Sequence, residues 1–285
     1  MKMPEKYNLP AIDDYLELKF PQFQIIGRSI AGVETVFAMP QFNLLFDVGR
    51  APHFSSHQDV LALTHWHMDH AGGVAFYLGL RCLTSSKPAK IVVPQATYKK
   101  AKEYLEALVK VSDSQITYEL LSAEEIIPIK NAMSLKSLPS SHCIDSTGYG
   151  VVEHKHRLKK EYEGLSAIEL VKLKEQGKNV NEHYDELLLA FSGDSRVEFL
   201  DSEASSAQVL MMECSFFGDD SNKEKVHLYG HTHIQDWVEY AEKIESETVI
   251  MTHTSQRYTK KEVEAECLKK LPKSLTDRLV IFRRD

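Results

Sequence analysis

The sequence predicts an α/β protein on three observations. Strand-sized apolar segments alternate with stretches of helical periodicity along the chain. At 285 residues, 43% hydrophobic and 26% charged, it can form one large domain over 1–285 or two ordinary ones, and can bury a core without disulfide support. The densest polar cluster, Thr64-His65-Trp66-His67-Met68-Asp69-His70, lies between an apolar strand, Asp59 to Leu63, and Ala71-Gly72-Gly73, where a glycine-rich turn opens a helix.

The elements follow in order. Phe23 to Ser29, Glu34 to Ala38 and Asn43 to Phe46 read as short strands broken at Ala31-Gly32 and Pro40, a β-meander that forms the first sheet. Asp47 closes the third of these; a single acid at a strand end, with no histidine beside it in sequence, reads as a turn-former and is left out of the metal set. Val74 to Leu80 continues a helix, Ile91 to Val93 is a buried strand closed by Pro94, and Ala96 to Val109 has helical periodicity. Gln115 to Leu120 and Ser134 to Leu138 are strand-like. Beyond the insertion described next, strands are expected at Leu187 to Phe191, Gln208 to Met212, Thr248 to Thr252 and Leu279 to Phe282, with helices at Ile234 to Ile244 and Lys260 to Leu271. The order of strands then helices is roughly repeated after residue 180.

Residues 153–181 differ in texture. They open on His154-Lys155-His156-Arg157-Leu158-Lys159-Lys160, and Ser166-Ala167-Ile168-Glu169 matches a capping box that starts an amphipathic helix from Ala167 to Gln176, stopped by Gly177. Such a segment projects from the core, either as a solvated surface helix or as a basic arm for a polyanion.

Composition excludes several classes. A formal net charge of −7 argues against a protein that coats nucleic acid nonspecifically. Cys82, Cys143, Cys214 and Cys267 are far apart in sequence and form no Cys-x-x-Cys pair, so reduced thiols are expected. No apolar run approaches eighteen residues, and the amino terminus, Met1 to Lys6, lacks the apolar core of a secretory signal, so a cytoplasmic protein with no membrane segment is expected.

Three imidazoles and a carboxylate within six positions are costly to group unless something binds them, and histidine nitrogen and carboxylate oxygen suit a borderline ion such as Zn²⁺. His65 and His67, two apart, can converge on one ion from an extended segment; Asp69 and His70, adjacent, diverge toward a second. Two divalent ions are therefore expected. Three further candidates stand at the ends of predicted strands: His142 after Leu138, Asp194 after Phe191-Ser192-Gly193, and His253 after Thr252.

The central cluster resembles the His-x-His-x-Asp-His signature of the metallo-β-lactamase superfamily. That resemblance implies a four-layer αββα sandwich with a dinuclear site at one edge, and leaves the substrate open. The order and spacing of the seven residues match its pattern, with His65, His67 and His142 on one ion, Asp69, His70 and His253 on the other, and Asp194 bridging. At about 3.5 to 4 Å apart the ions would share a hydroxide, the nucleophile.

Further stretches are more specific. Met212-Glu213-Cys214-Ser215-Phe216, Gly230-His231-Thr232-His233 and Thr252-His253-Thr254-Ser255-Gln256-Arg257-Tyr258 resemble motifs of the tRNase Z family, the tRNA 3′-processing endoribonucleases. Phe46 to Pro52 and His142 to Tyr149 also look like its short, plant-type members, so the likeness spans nearly the whole chain. The resemblance implies precursor tRNA as substrate, cut after the discriminator base, and a homodimer in which one subunit's arm serves the other's site. It makes Asp69, His231 and Glu213 the candidate catalytic residues, His231 as general acid held by Glu213. The plainer alternative is that His231 and His233 cap the following helix; His53, His57, His183 and His227 read as structural. Two departures from the common bacterial form stand out: no Pro-x-Lys-x-Arg-Asn loop near residues 29–36, and a short arm without a Gly-Pro-rich tip. The alternatives are a phosphodiesterase for small diesters, a thioesterase like glyoxalase II, which would want an added carboxy-terminal domain, and a silent RNA-binding scaffold.

Overall fold

The structure, a computed structural model, describes residues 15–84, 87–112, 115–218 and 222–284. The amino-terminal stretch Met1 to Lys6 lies outside the described residues. Two seven-stranded sheets make up the centre. The first contains β1 (Leu16–Lys19), β2 (Gln24–Ile30), β3 (Glu34–Met39), β4 (Leu44–Phe46), β5 (Val60–Ala62), β6 (Ala89–Val93) and β7 (Tyr118–Ser122), in that spatial order. The second contains β8 (Ile127–Pro128), β9 (Met133–Leu138), β10 (Gly148–Leu158), β11 (Asn181–Phe191), β12 (Val209–Glu213), β13 (Thr248–Thr252) and β14 (Leu279–Ile281).

The helices are α1 (Met68–Ala71), α2 (Val74–Thr84), α3 (Tyr98–Ser112), α4 (Ala167–Glu175), α5 (Lys223–Leu228), α6 (Ile234–Tyr240), α7 (Lys260–Lys270) and α8 (Lys273–Thr276). Three of them, α4, α6 and α7, begin at a polar side chain that takes a free N–H group: Ser166, His233 and Thr259 each complete a capping box.

Packing is in four layers. Phe37, Phe46, Phe191 and Phe282 fill the space between the sheets, with ring centroids 5.1 to 5.4 Å apart. Tyr77 and Leu105 lie between the first sheet and α2 and α3; Trp237 and Val263 lie between the second sheet and α6 and α7. The expected αββα sandwich is the fold.

Each sheet is half antiparallel and half parallel. Strands β1 to β4 form the expected meander, and β4 to β7 run parallel. The second sheet repeats the plan, β8 to β11 antiparallel and β11 to β14 parallel. The internal repeat thus starts near residue 127, earlier than the residue 180 expected, because the polar ribbon strands β10 and β11 carry no apolar alternation along their outer halves. Those strands pair from Tyr149↔Phe191 out to Leu158↔Asn181, so the insertion is a β-ribbon that carries α4. Its charges are matched across strands: Lys155 with Glu153 and Glu186, Arg157 with Glu182, and His154 with Asp185.

Candidate active site

Every candidate metal ligand sits just beyond a strand at one edge of the sandwich. His65 and His67 follow β5, Asp69 and His70 lie in α1, His142 follows β9, Asp194 follows β11 and His253 follows β13. The structure brings all seven together. His65 Nε2 is 3.0 Å from His67 Nδ1, which is 3.2 Å from His142 Nε2. Asp194 Oδ2 lies 3.6 Å from His65 Nε2 and 3.9 Å from His142 Nε2. The other oxygen, Oδ1, lies 3.2 Å from both His70 Nε2 and His253 Nε2. Those two nitrogens are 3.3 Å apart, and Asp69 Oδ2 is 3.7 and 3.4 Å from them.

This geometry fits divalent metal ions. Donors held about 2.0–2.1 Å from one tetrahedral ion stand roughly 3.3 Å from each other. With Nδ1 of His65 and of His142 donating elsewhere, both Nε2 atoms aim lone pairs at His67 Nδ1, which has one hydrogen at most to share between them. Asp194 Oδ1 is buried with no well-aligned hydrogen bond, the His70 and His253 Nε2 atoms each 3.2 Å away, an anionic acceptor that suits a cation between the three.

The groups behind the ligands decide which atom each presents. His65 Nδ1 donates to Thr64 Oγ1 at 3.0 Å, and the Thr64 hydroxyl donates in turn to Asp47 at 2.9 Å. Asp47 also accepts from His70 Nδ1 at 2.8 Å. On the other side His253 Nδ1 donates to Ser215 Oγ at 3.0 Å, and Ser215 donates to Glu213 Oε2 at 2.6 Å. His142 Nδ1 donates to the Gly230 carbonyl at 2.9 Å, and Asp69 Oδ2 accepts from the Gly32 amide at 2.8 Å. With Nδ1 engaged, Nε2 of His65, His70, His142 and His253 is left to bind.

Asp47 is more than the turn-former expected: it holds two candidate ligands at once, His70 directly and His65 through Thr64. Thr64, Ser215, Gly32 and Gly230 were likewise not singled out as supports. Adjacency to His65 is the local signal for Thr64; the others act across strands.

His231 Nδ1 donates to Glu213 Oε1 at 2.9 Å, with ring centroids 5.0 Å from His142 and 5.4 Å from His253. Glu213 is fully buried and also accepts from the Ser195 amide at 2.8 Å. His233 caps α6, accepting from Gln235 N; His231 does not cap and faces the ligands. Of the remaining histidines, His227 pairs with Asp236 at 2.8 Å, and His183 packs on His156 with centroids 4.0 Å apart. His53 and His57 meet edge-on.

Burial, reinforced by neighbouring imidazoles, lowers the pKa of His65 well below its ordinary value and also lowers His67 and His142, so these offer lone pairs at neutral pH. Burial would lower His70 too, but the Asp194 and Asp47 carboxylates outweigh it and hold the imidazole protonated. Burial would raise Asp69, but the hydrogen bond from His253 and the charge of His70 keep it ionised. For His231, burial acts downward and Glu213 overrides it, pushing the pKa up to about 9.

All four cysteines are free, two exposed and two buried. Among the described residues no helix is long and apolar enough to cross a membrane.

No protein-family model matches the chain. It is 36% identical over 264 residues to tRNase Z TRZ1 of Arabidopsis thaliana, covering 90% of this chain and 94% of that protein. Among solved structures it is similar to the metallo-β-lactamase fold protein YhfI of Bacillus subtilis, with a TM-score of 0.61 at 12% identity over 91% of this chain and 95% of that one. It is also similar to the short form of human tRNase Z, with a TM-score of 0.56 at 18% identity over 81% and 92% of the two chains. The chain has the metallo-β-lactamase fold and belongs to the tRNase Z family of metal-dependent hydrolases.

Proposed function

We propose that this chain removes 3′ trailers from precursor tRNA, cutting the phosphodiester after the discriminator base to leave a 3′-hydroxyl on the tRNA and a 5′-phosphate on the trailer. The observation that carries the reading is one carboxylate, Asp194, set between two ligand triads, with a carboxylate-held imidazole, His231, beside both. His65, His67 and His142 with Asp194 Oδ2 would hold one ion, and Asp69, His70 and His253 with Oδ1 the second. Zinc is the proposed metal, since nitrogen and carboxylate donors at these spacings suit it. Such ions supply a nucleophilic water at neutral pH and offset charge on the phosphate.

What the chain itself does is hold and move protons. With its pKa up to about 9, His231 is an imidazolium at neutral pH. Its Nδ1 is tied to Glu213, so Nε2–H is free to protonate the departing 3′-oxygen as the P–O3′ bond breaks. Asp69 stays an ionised ligand, and Glu213 keeps the imidazole charged and aimed. The 153–181 arm is proposed to grip the tRNA body in a homodimer; exposed Ile168 and Val171 on α4 support an external contact there. The cytoplasm is the proposed compartment, consistent with four free thiols.

The test is cleavage of an end-labelled precursor tRNA carrying a 3′ trailer, with and without chelator, mapped to the nucleotide. A chelator-sensitive cut just after the discriminator is expected. His231→Ala should lower kcat by about 10²- to 10⁴-fold with metal content retained. Full turnover in that variant would remove the acid role. No cut by the wild type, with bis(p-nitrophenyl) phosphate still hydrolysed, would overturn the substrate.

A further inference from the structure

Beside His142 opens a cavity of about 1210 Å³ that the chemistry above leaves unused. From the first half of the chain come Trp66, Gln95, Lys100 and Tyr104; from the second comes the loop of residues 140–147 that follows His142's own strand. The volume exceeds the roughly 300–1,000 Å³ of a site for one drug-sized ligand. It is also contiguous with the metal-ligand cluster, since His142 belongs to both.

Two aromatic rings line it, and one is fixed. Trp66 Nε1 donates to Thr97 Oγ1 at 3.2 Å, and the Thr97 hydroxyl donates to the Pro94 carbonyl at 2.9 Å. The indole meets Tyr104 edge-on, with centroids 5.7 Å apart and planes at 76°. Tyr104 is 44% exposed, so its ring is not committed to the core. The remaining polar groups are mostly neutral: Gln95, Ser140, Ser141, Ser146 and Thr147. Charged groups are one cation, Lys100, and two anions, Glu124 and Asp145.

That charge balance does not suit phosphates, which need clustered cations. Aromatic faces with neutral donors and acceptors around them are what unpaired nucleobases are recognised by. We infer that this cavity is a nucleobase subsite, in which a base of unpaired RNA flanking the scissile phosphate stacks on Trp66 and Tyr104. The inference rests on the precursor-RNA reading and adds what holds the strand in register at the cut. Base stacking of this kind is tolerant of sequence, so the subsite fixes position more than identity.

The test uses the full-length, metal-loaded protein in two measurements. The chain has two tryptophans, and the other, Trp237, is fully buried, so emission changes on binding report Trp66. A single-stranded oligoribonucleotide spanning the cut should quench that emission, and Tyr104→Ala should weaken the apparent affinity roughly 5- to 100-fold. In precursor tRNA, an abasic nucleotide is scanned on both sides of the cut. At one position it should raise KM by a similar factor with little change in kcat. That position then identifies which flanking base enters, and Tyr104→Ala should erase the penalty there. Equal penalties in wild type and variant, or none at any position, overturn the subsite while the processing reading stands. A wild type that hydrolyses bis(p-nitrophenyl) phosphate but never cuts precursor tRNA overturns that reading instead. In that case the subsite is retained if the oligonucleotide quenches Trp66 and overturned if it does not.

Discussion

His70 presents Nε2 to the metal cluster because its Nδ1 hydrogen is taken by Asp47, 2.8 Å away and fully buried. The acid does this from a left-handed backbone, φ 51°, a conformation that Asp and Asn adopt more readily than other side chains. Asp47→Asn therefore keeps the backbone and the Thr64 contact while exchanging an acceptor for an amide. If the NH₂ group faces His70, Nδ1 must become the acceptor and the hydrogen moves to Nε2, the wrong tautomer for a ligand. Metal affinity should fall by about 10- to 100-fold, read by competition with a chromophoric chelator. An unchanged affinity would mean that Asp47 only shapes the turn. The sequence reads Asp47 as a turn-former and gives no sign of this role. Its partner is 23 positions away, and only the parallel pairing of β4 with β5 sets the two side by side.

The strand ends show how two halves of one chain build a single site. In each half a buried acid holds one imidazole directly and another through a hydroxyl: Asp47 holds His70 and, through Thr64, His65; Glu213 holds His231 and, through Ser215, His253. The clustering of the seven candidate ligands was legible because metal chemistry needs His and Asp, and because each follows an apolar strand. Their supports are ordinary Ser, Thr and Gly residues with no compositional signal. The ribbon was illegible for another reason, since β10 and β11 owe their outer pairing to matched charges rather than to a buried face. Gly230 shows what such a support does. It accepts from His142, precedes His231, and has φ 75°, and a Cβ there would stand 2.4 Å from the Cys143 amide nitrogen. Gly230→Ala must push apart the loops carrying ligand and acid; a displacement near 1 Å should cost about 100-fold in kcat. Retention of more than half the wild-type rate would show that the loops yield independently.

At the scale of the whole molecule, the proposed metal cluster would also be a cross-link. The first sheet's half supplies His65, His67, Asp69 and His70, and the second's supplies His142, Asp194 and His253, from opposite sides of an interface otherwise held by apolar packing and a few hydrogen bonds, among them Tyr149 Oη to the Leu63 carbonyl and the His253 amide to Ser29 Oγ. Ions that bind the folded chain and not the unfolded one stabilise it by mass action, by about 4 kcal/mol when free metal is 1,000 times the dissociation constant. For a chain of this size that corresponds to a fall in Tm on the order of 10 °C on chelation. The effect should depend on pH with a definite sign. Asp194 and Asp47 hold His70 protonated in the metal-free protein, and a metal must displace that proton. Metal stabilisation should therefore grow as pH rises toward the raised His70 pKa and shrink as pH falls. Thermal unfolding with and without chelator across that range measures it. Asp194→Asn, which removes the shared anion, should abolish most of the chelator effect. If chelation leaves Tm unchanged in the wild type at every pH, the ions do not bridge the two sheets, and their ligands are held in place by packing alone.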